Sequence, residues 1–220
     1  MTGNTLKIIA AIAMLIDHVG LMFFPEKALF RIIGRLAFPI FAFMIAEGCK
    51  YTHSRLRYFL QLFGLALGCQ IVYFIADGSM YLSVLFTFSL AVLTIFALQY
   101  CKAKPTALPL LLFITTVVAV YVLNQLLDID YGFFGCMLPV FAAAFHSTRF
   151  DKPLLNILML ALGLLLLWYS LGGLQLYAFA AVPLLLCYSG RRGKIKMKYF
   201  FYIFYPAHLA LLQVIFWLTA

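Results

Sequence analysis

Charge is what this sequence most lacks. Asp, Glu, Lys and Arg make up 10% of its 220 residues, and seven of them are acidic. A soluble domain carries about a quarter charged residues. Apolar residues reach 66%, and the mean hydropathy is +1.06. A sphere of this size cannot hide that much apolar surface from water. A soluble globular protein is therefore excluded, and so is a disordered chain. Strict alternation of polar and apolar residues is also lacking, which argues against a porin-type barrel. Cysteine is too sparse and too irregular to staple a secreted domain. Cys49, Cys69, Cys101, Cys136 and Cys187 form an odd set without CxxC spacing, and read as packing residues in helices. No H-E-x-x-H, Walker A or GxSxG pattern occurs, so a metal site, an ATPase and a serine hydrolase have no support.

What is present is a series of long apolar runs. A spanning helix needs about 20 mostly apolar residues. Nine segments qualify, some of them short: 6–24, 29–49, 57–76, 81–100, 107–127, 132–148, 154–170, 173–189 and 199–219. The expected fold is an all-α polytopic membrane protein, a single domain over 1–220 with about nine spans. The first run contains Asp17 and His18, and no A-x-A cleavage site follows it, so it reads as a retained helix.

The connections set the orientation. Twelve of the sixteen basic residues fall on alternate loops: Lys50, Arg55 and Arg57; Lys102 and Lys104; Arg149 and Lys152; Arg191, Arg192, Lys194, Lys196 and Lys198. The opposite loops carry Glu26, Asp77, Asp128 and Asp130, with Lys27 as their cation. Basic loops stay cytoplasmic. This predicts a cytoplasmic N-terminus and an outer C-terminus. The net charge of +9 is then a matter of topology rather than of nucleic-acid binding.

Lys7, Asp17, Arg31, Arg35 and Glu47 lie at or inside the ends of the first two helices. Charge inside a membrane is costly, so such residues are functional candidates by default. Lys7 and His18 are eleven residues apart, about 16 Å along a helix and close to three turns, hence on one face. Asp17 and Arg35 stand at similar depth across a helical hairpin, where an ion pair lowers the cost of burying both. Gly34 lets the two helices approach closely. Pro39 loosens the second helix. Arg31 and Arg35 share a face. Three readings are open here. The Asp17–Arg35 pair is an anchoring salt bridge that fixes the hairpin, or Asp17 orients His18 as a general base, or Asp17 serves Arg35 and leaves His18 alone at the site. Glu47 is either a half-exposed interface residue or a site residue. His53 and His146 read as interfacial. His208, mid-helix beside Pro206, either joins His18 or is a bonded core residue. Asn124, Gln125, Asp128, Asp130 and Tyr131 form either a solvated loop or the rim of an outward-facing substrate site.

Several blocks carry a resemblance. They are Leu6-Lys7…Met14…Asp17-His18-Val19-Gly20, Arg31…Gly34-Arg35-Leu36-Ala37-Phe38-Pro39-Ile40-Phe41-Ala42-Phe43…Glu47-Gly48, Phe86-Thr87-Phe88, Asp130-Tyr131-Gly132…Gly135, and Lys198-Tyr199-Phe200-Phe201-Tyr202…Tyr205-Pro206-Ala207-His208-Leu209. Together they resemble the TraX family, named for an inner-membrane protein that N-acetylates conjugative pilin. That family is similar to the membrane acyltransferases that O-acylate sugars, which carry Arg or Lys, ten residues, then His in the first helix. Lys7 and His18 match that spacing. The resemblance implies a bacterial inner-membrane acetyltransferase. Acetyl-CoA would be the donor, His18 the base with Asp17 and Arg35 beside it, and Lys7, Arg31 and Glu47 donor-binding residues. Asp130, Tyr131 and His208 would serve a protein, glycan or lipid acceptor, pilin being one candidate. Arg35 or Arg31 would stabilise the oxyanion. Direct transfer and an acetyl-His18 intermediate both fit. Two other classes stand beside this one: a small-solute transporter built on the Pro39 and Pro206 helices, and a non-catalytic pilus or envelope assembly protein.

Overall fold

A computed structural model describes residues 1–191, 193 and 200–219. Arg192, Lys194, Lys196 and Lys198 of the last basic loop, and Tyr199 of the closing block, lie outside the described residues. The described chain is helical: α1 Gly3–Phe23, α2 Ala28–Gly34, α3 Ala37–Tyr51, α4 Arg55–Asp77, α5 Val84–Ala103, α6 Ala107–Leu126, α7 Gly132–Ala142 and α8 Pro153–Leu171. A 3-10 stretch, Gly173–Ala180, then leads into α9 Ala181–Leu186, and α10 is Phe200–Thr219. Among the described residues, seven helices are long and apolar enough to cross a membrane, with α2 and α3 counted as one span, Ala28–Tyr51. Gly132–Ala142 and Gly173–Leu186 are shorter apolar helices. All nine apolar segments are therefore helical, and the protein is an all-α multi-pass membrane protein.

Three segments depart from a simple span, each for a local reason. The second breaks at Arg35-Leu36. Pro39 has no N–H, and its ring clashes with the carbonyl four residues back, which is that of Arg35. The break thus falls on the arginine itself. The sixth stops after eleven residues. The Lys102 ammonium donates to the carbonyls of Ala143 (3.1 Å), Ala144 (2.6 Å) and His146 (3.3 Å), in the turn that follows the helix. The eighth begins with Gly172 and Gly173 at φ 64° and 52°, a conformation side-chain-bearing residues rarely adopt, and starts as a 3-10 helix.

The chain divides into two compact units, Met1–Phe41 with Gly172–Ala220, and Ala42–Leu171. In the first, α1 packs against α2 and α10, and α2 against the 3-10 stretch. His18 meets His208 and Phe23 meets Phe216, so α1 and α10 run in the same direction. The N-terminus is pinned to the segment after α9. Gly3 N donates to Arg191 O, Ser189 N to Met1 O, and the terminal ammonium to Cys187 O. In the second unit, α5 packs on α4, α6 and α7, and α7 on α8. Its core holds Phe43, Val92, Ile95, Leu138, Leu160 and Leu164. Gly163 lets α8 lie close on Leu138 and Phe141. The outer apolar face is broad. On α6, Leu108, Leu111, Ile114 and Val118 are all about half exposed or more, a surface suited to lipid. Two buried hydroxyls of α5 are satisfied within their own helix, Ser89 on Leu85 O and Thr94 on Leu90 O.

Candidate functional site

The first unit gathers most of the candidate residues. Asp17 sits in the last turns of α1 and faces α2. One carboxylate oxygen accepts from Arg31 at 2.6 Å, the other from Arg35 at 3.3 Å. Arg31, Arg35 and Asp17 are 28%, 13% and 15% exposed at the side chain, so the charges are largely withdrawn and depend on one another. Gly34 makes the approach possible: a Cβ there would overlap the Asp17 carboxylate. Gly20, a turn further along α1, likewise leaves room for Phe30. Arg35 also donates to the Arg31 carbonyl (3.3 Å) and to Gln175 Oε1 (3.2 Å). Both Asp17 oxygens are thus spent on guanidinium groups, and Asp17 does not orient His18 by a direct bond.

His18 is oriented by its own helix. Its Nδ1 lies 2.8 Å from the Met14 carbonyl. A carbonyl only accepts, so Nδ1 carries the proton and the lone pair of a neutral ring sits on Nε2. His208 repeats the arrangement on α10, with Nδ1 2.8 Å from the Phe204 carbonyl and Nε2 buried without a hydrogen-bond partner. The two rings meet edge to face, with centroids 5.1 Å apart at 71°. Phe204 stacks on His208 at 4.8 Å and holds its plane. Pro206 lies inside α10, two residues before His208. Lys7 is half-buried on the same helix as His18.

Gln175 was not singled out by sequence reasoning. It is 5% exposed, it accepts from Arg35, and its Nε2 has no hydrogen-bond partner among the described residues. The available signal was a lone amide in an apolar segment just after two glycines, a costly placement in a membrane.

The other candidates belong to the second unit. Glu47 is 8% exposed, with Oε1 3.3 Å from His146 Nε2 but off the hydrogen-bonding direction. His146, expected at the interface, is fully buried. Asp130 is held in a tied loop: Tyr81 donates to its carboxylate and Thr87 to its carbonyl, both at 2.6 Å. Leu82 pairs with Ile129 as a bridge of backbone bonds. Tyr131 takes φ 61° to open α7. Burial first, then the Asp130 carboxylate, raise the Tyr81 phenol above its ordinary value. Lys50 pairs with Asp151 at 2.9 Å. Partial burial opposes the Asp151 charge, but Lys50 and the Ser147 N–H outweigh it and hold that carboxyl below its ordinary value. Among the described residues, no group of three or more His, Cys, Asp or Glu is placed to hold a metal ion.

Comparison with known proteins adds to this geometry. A probable fimbrial assembly protein FimC, serogroup H1, of Dichelobacter nodosus is 29% identical over 241 aligned positions, covering 94% of this chain and 92% of that protein. An uncharacterized protein, RP591, of Rickettsia prowazekii (strain Madrid E) is 55% identical over 40 residues, 18% of this chain and 16% of its own. No solved structure matches significantly. The family model described as TraX protein matches residues 2–216, from the N-terminal cap of α1 to within the last turn of α10, and the chain therefore belongs to the TraX family.

Proposed function

We propose that the protein is an acetyltransferase of a bacterial cytoplasmic membrane, transferring an acetyl group from acetyl-CoA to an amine or hydroxyl. The observation that carries the reading is the His18 imidazole. Its Nδ1 is committed to the Met14 carbonyl, its Nε2 lone pair is left for a proton, and it lies in a lipid-embedded helix beside an Asp17–Arg31–Arg35 cluster. The acceptor attacks the thioester carbon and the C–S bond breaks. The acceptor's proton passes to His18 Nε2 and from there to the departing CoA sulfur, which leaves as the thiol. His208, ring against ring with His18, excludes water and keeps the base in place. Arg31 and Arg35 supply positive charge where the carbonyl oxygen becomes an oxyanion. Lys7, at the basic-loop end of α1, faces the donor's phosphates. Glu47 serves the donor, and Asp130 and Tyr131 the acceptor side; their occurrence in the family-like blocks supports this.

The full-length similarity to a probable fimbrial assembly protein favours a pilin-like acceptor, and equally a second reading, a non-catalytic assembly factor. One experiment divides them. The purified protein in nanodiscs is given labelled acetyl-CoA, with and without membrane extract, as wild type and as His18→Ala. Label transfer or CoA release by the wild type, lost in a folded His18→Ala protein, supports the enzyme. Equal behaviour of the two, with pilus assembly intact in cells carrying His18→Ala, supports the assembly factor and removes the enzyme.

A further inference from the structure

The second unit holds a polar pocket of about 230 Å³. It opens where α3 ends, α4 begins and α5 ends, beside the turn after α7. Its walls include Cys49, Lys50, Thr52, Arg55, Lys102 and Ser147. These are ends of the helices whose loops carry the basic residues.

The charge balance of the pocket is uneven. Lys50 is neutralised by Asp151. The nearby Glu47 faces His146. Lys102 spends its three N–H donors on three backbone carbonyls, which fix its position but do not cancel its charge. Arg55 rests its guanidinium over the Phe96 ring at 5.7 Å and has no carboxylate partner among the described residues. Three cations thus stand against two carboxylates, Asp151 acting on Lys102 as well as on Lys50; the surplus positive charge is that of Arg55, whose planar fork can bind an anion through two N–H groups. Ser147 adds a hydroxyl at a backbone position of φ 62°, held by its N–H on Asp151. A bidentate donor with a fixed ammonium beside it suits a phosphate. The size suits a phosphate or diphosphate group and not a whole nucleotide. A lipid headgroup would need an apolar track for its chains, and these walls are polar, with Cys49 and Ala103 the exceptions.

We infer that this pocket binds the phosphate group of a soluble organic phosphate, with Arg55 as the clamp and Lys102 as fixed charge. That the phosphate is the acyl donor's rests on the acetyl-transfer reading; the anion site does not. The test is calorimetric titration of the full-length protein in phosphatidylcholine nanodiscs. The probes are CoA, 3′-phosphoadenosine 5′-phosphate and pyrophosphate. Wild type is compared with Arg55→Gln, Arg55→Lys and Lys102→Gln, each checked for folding by size exclusion and thermal unfolding. Arg55→Gln is expected to weaken binding by about tenfold or more, Arg55→Lys less, and added salt to weaken the wild type. If CoA binds Arg55→Gln and Lys102→Gln as it binds wild type, the pocket assignment fails and acetyl transfer stands. If pyrophosphate binding depends on Arg55 while CoA does not bind at all, the pocket stands and the donor reading fails. Binding of none of the three probes, or their full displacement by phosphatidylglycerol in the nanodisc, overturns the assignment.

Discussion

His18 and His208 come from opposite ends of the chain and meet ring to ring at 5.1 Å, each with its Nδ1 tied to the carbonyl four residues earlier. The tie is the same in both, and exposure separates them: His18 is half-buried, whereas His208 is 5% exposed. His18→Gln is expected to leave the protein folded and to lower acetyl transfer by about 10²–10⁴-fold, the usual contribution of a general base. His208→Gln should cost less, about tenfold, a fraction of that general-base contribution, because it removes support and not the base. Single-turnover transfer rates on both variants check this, and equal losses would mean that the two rings act as one unit.

Among the described residues, Asp17 is the one acid that pairs with Arg31 and Arg35. Removing its charge leaves both uncompensated in a largely withdrawn setting. Asp17→Asn is therefore expected to destabilise by about 3–5 kcal/mol, the cost of breaking a buried ion pair from one side. Arg31→Gln, with its 28% exposed side chain, should cost less than Arg35→Gln at 13%. Denaturation in a single detergent, compared across the three variants, gives the order. A reversed order of the two arginines would show that Gln175 and the Arg31 carbonyl hold Arg35 without Asp17.

Much of the first unit could be read in the sequence because its chemistry is local. The Asp17–Arg35 hairpin follows from counting residues on either side of Glu26, and Gly34 stands where the helices touch. Even the break at Arg35-Leu36 follows from Pro39, once its clash is traced to the Arg35 carbonyl. What could not be read depends on packing order, which hydropathy does not encode. Lys102 looks like one more cation of a basic loop, yet it holds the turn after α7. His146 sits in sequence beside Ser147, Thr148 and Arg149 and looks interfacial, yet it is enclosed with Glu47. Gln175 meets Arg35 across 140 residues. The segments 132–148 and 173–189 were legible as apolar helices, but not that their helices fall short of the length of a span: an apolar run shows where a helix can lie in a membrane, not whether it crosses.

Gly34 has no room for a side chain, since a Cβ would meet the Asp17 carboxylate. Gly34→Ala should force the hairpin apart and cost about 1–3 kcal/mol, as overpacking does. It should also lower activity, because the arginines move with α2. Gly64, whose Cβ position meets nothing within 4 Å, is the control: Gly64→Ala should be neutral or slightly stabilising through its higher helix propensity. Thermal unfolding of both proteins decides the matter, and a harmless Gly34→Ala would show that the carboxylate can turn aside.

Asp151 gives a prediction in pH. Its carboxyl lies below its ordinary value of 3.8 in the folded protein, because Lys50 and the Ser147 N–H favour the charged form more than partial burial opposes it. A carboxyl depressed by folding adds stability that is fully present above its unfolded value and is lost as pH falls through the folded one. Wild type should therefore be more stable than Asp151→Asn by a constant margin from pH 7 to about 5, and the margin should narrow once pH drops below about 4, the unfolded range of an aspartate. Lys50→Gln should shrink the margin across the whole range, since the cation is the strongest support of the charge. High salt should change it little if the pair is sheltered and markedly if it is open to water; the side chains are 26% and 17% exposed, which favours the sheltered case. Unfolding temperatures of the three proteins over pH 7 to 3 test the sign directly. A margin that grows as the solution is acidified would mean that Asp151 is held in its protonated form, and the assignment of Lys50 as its stabilising partner would be wrong.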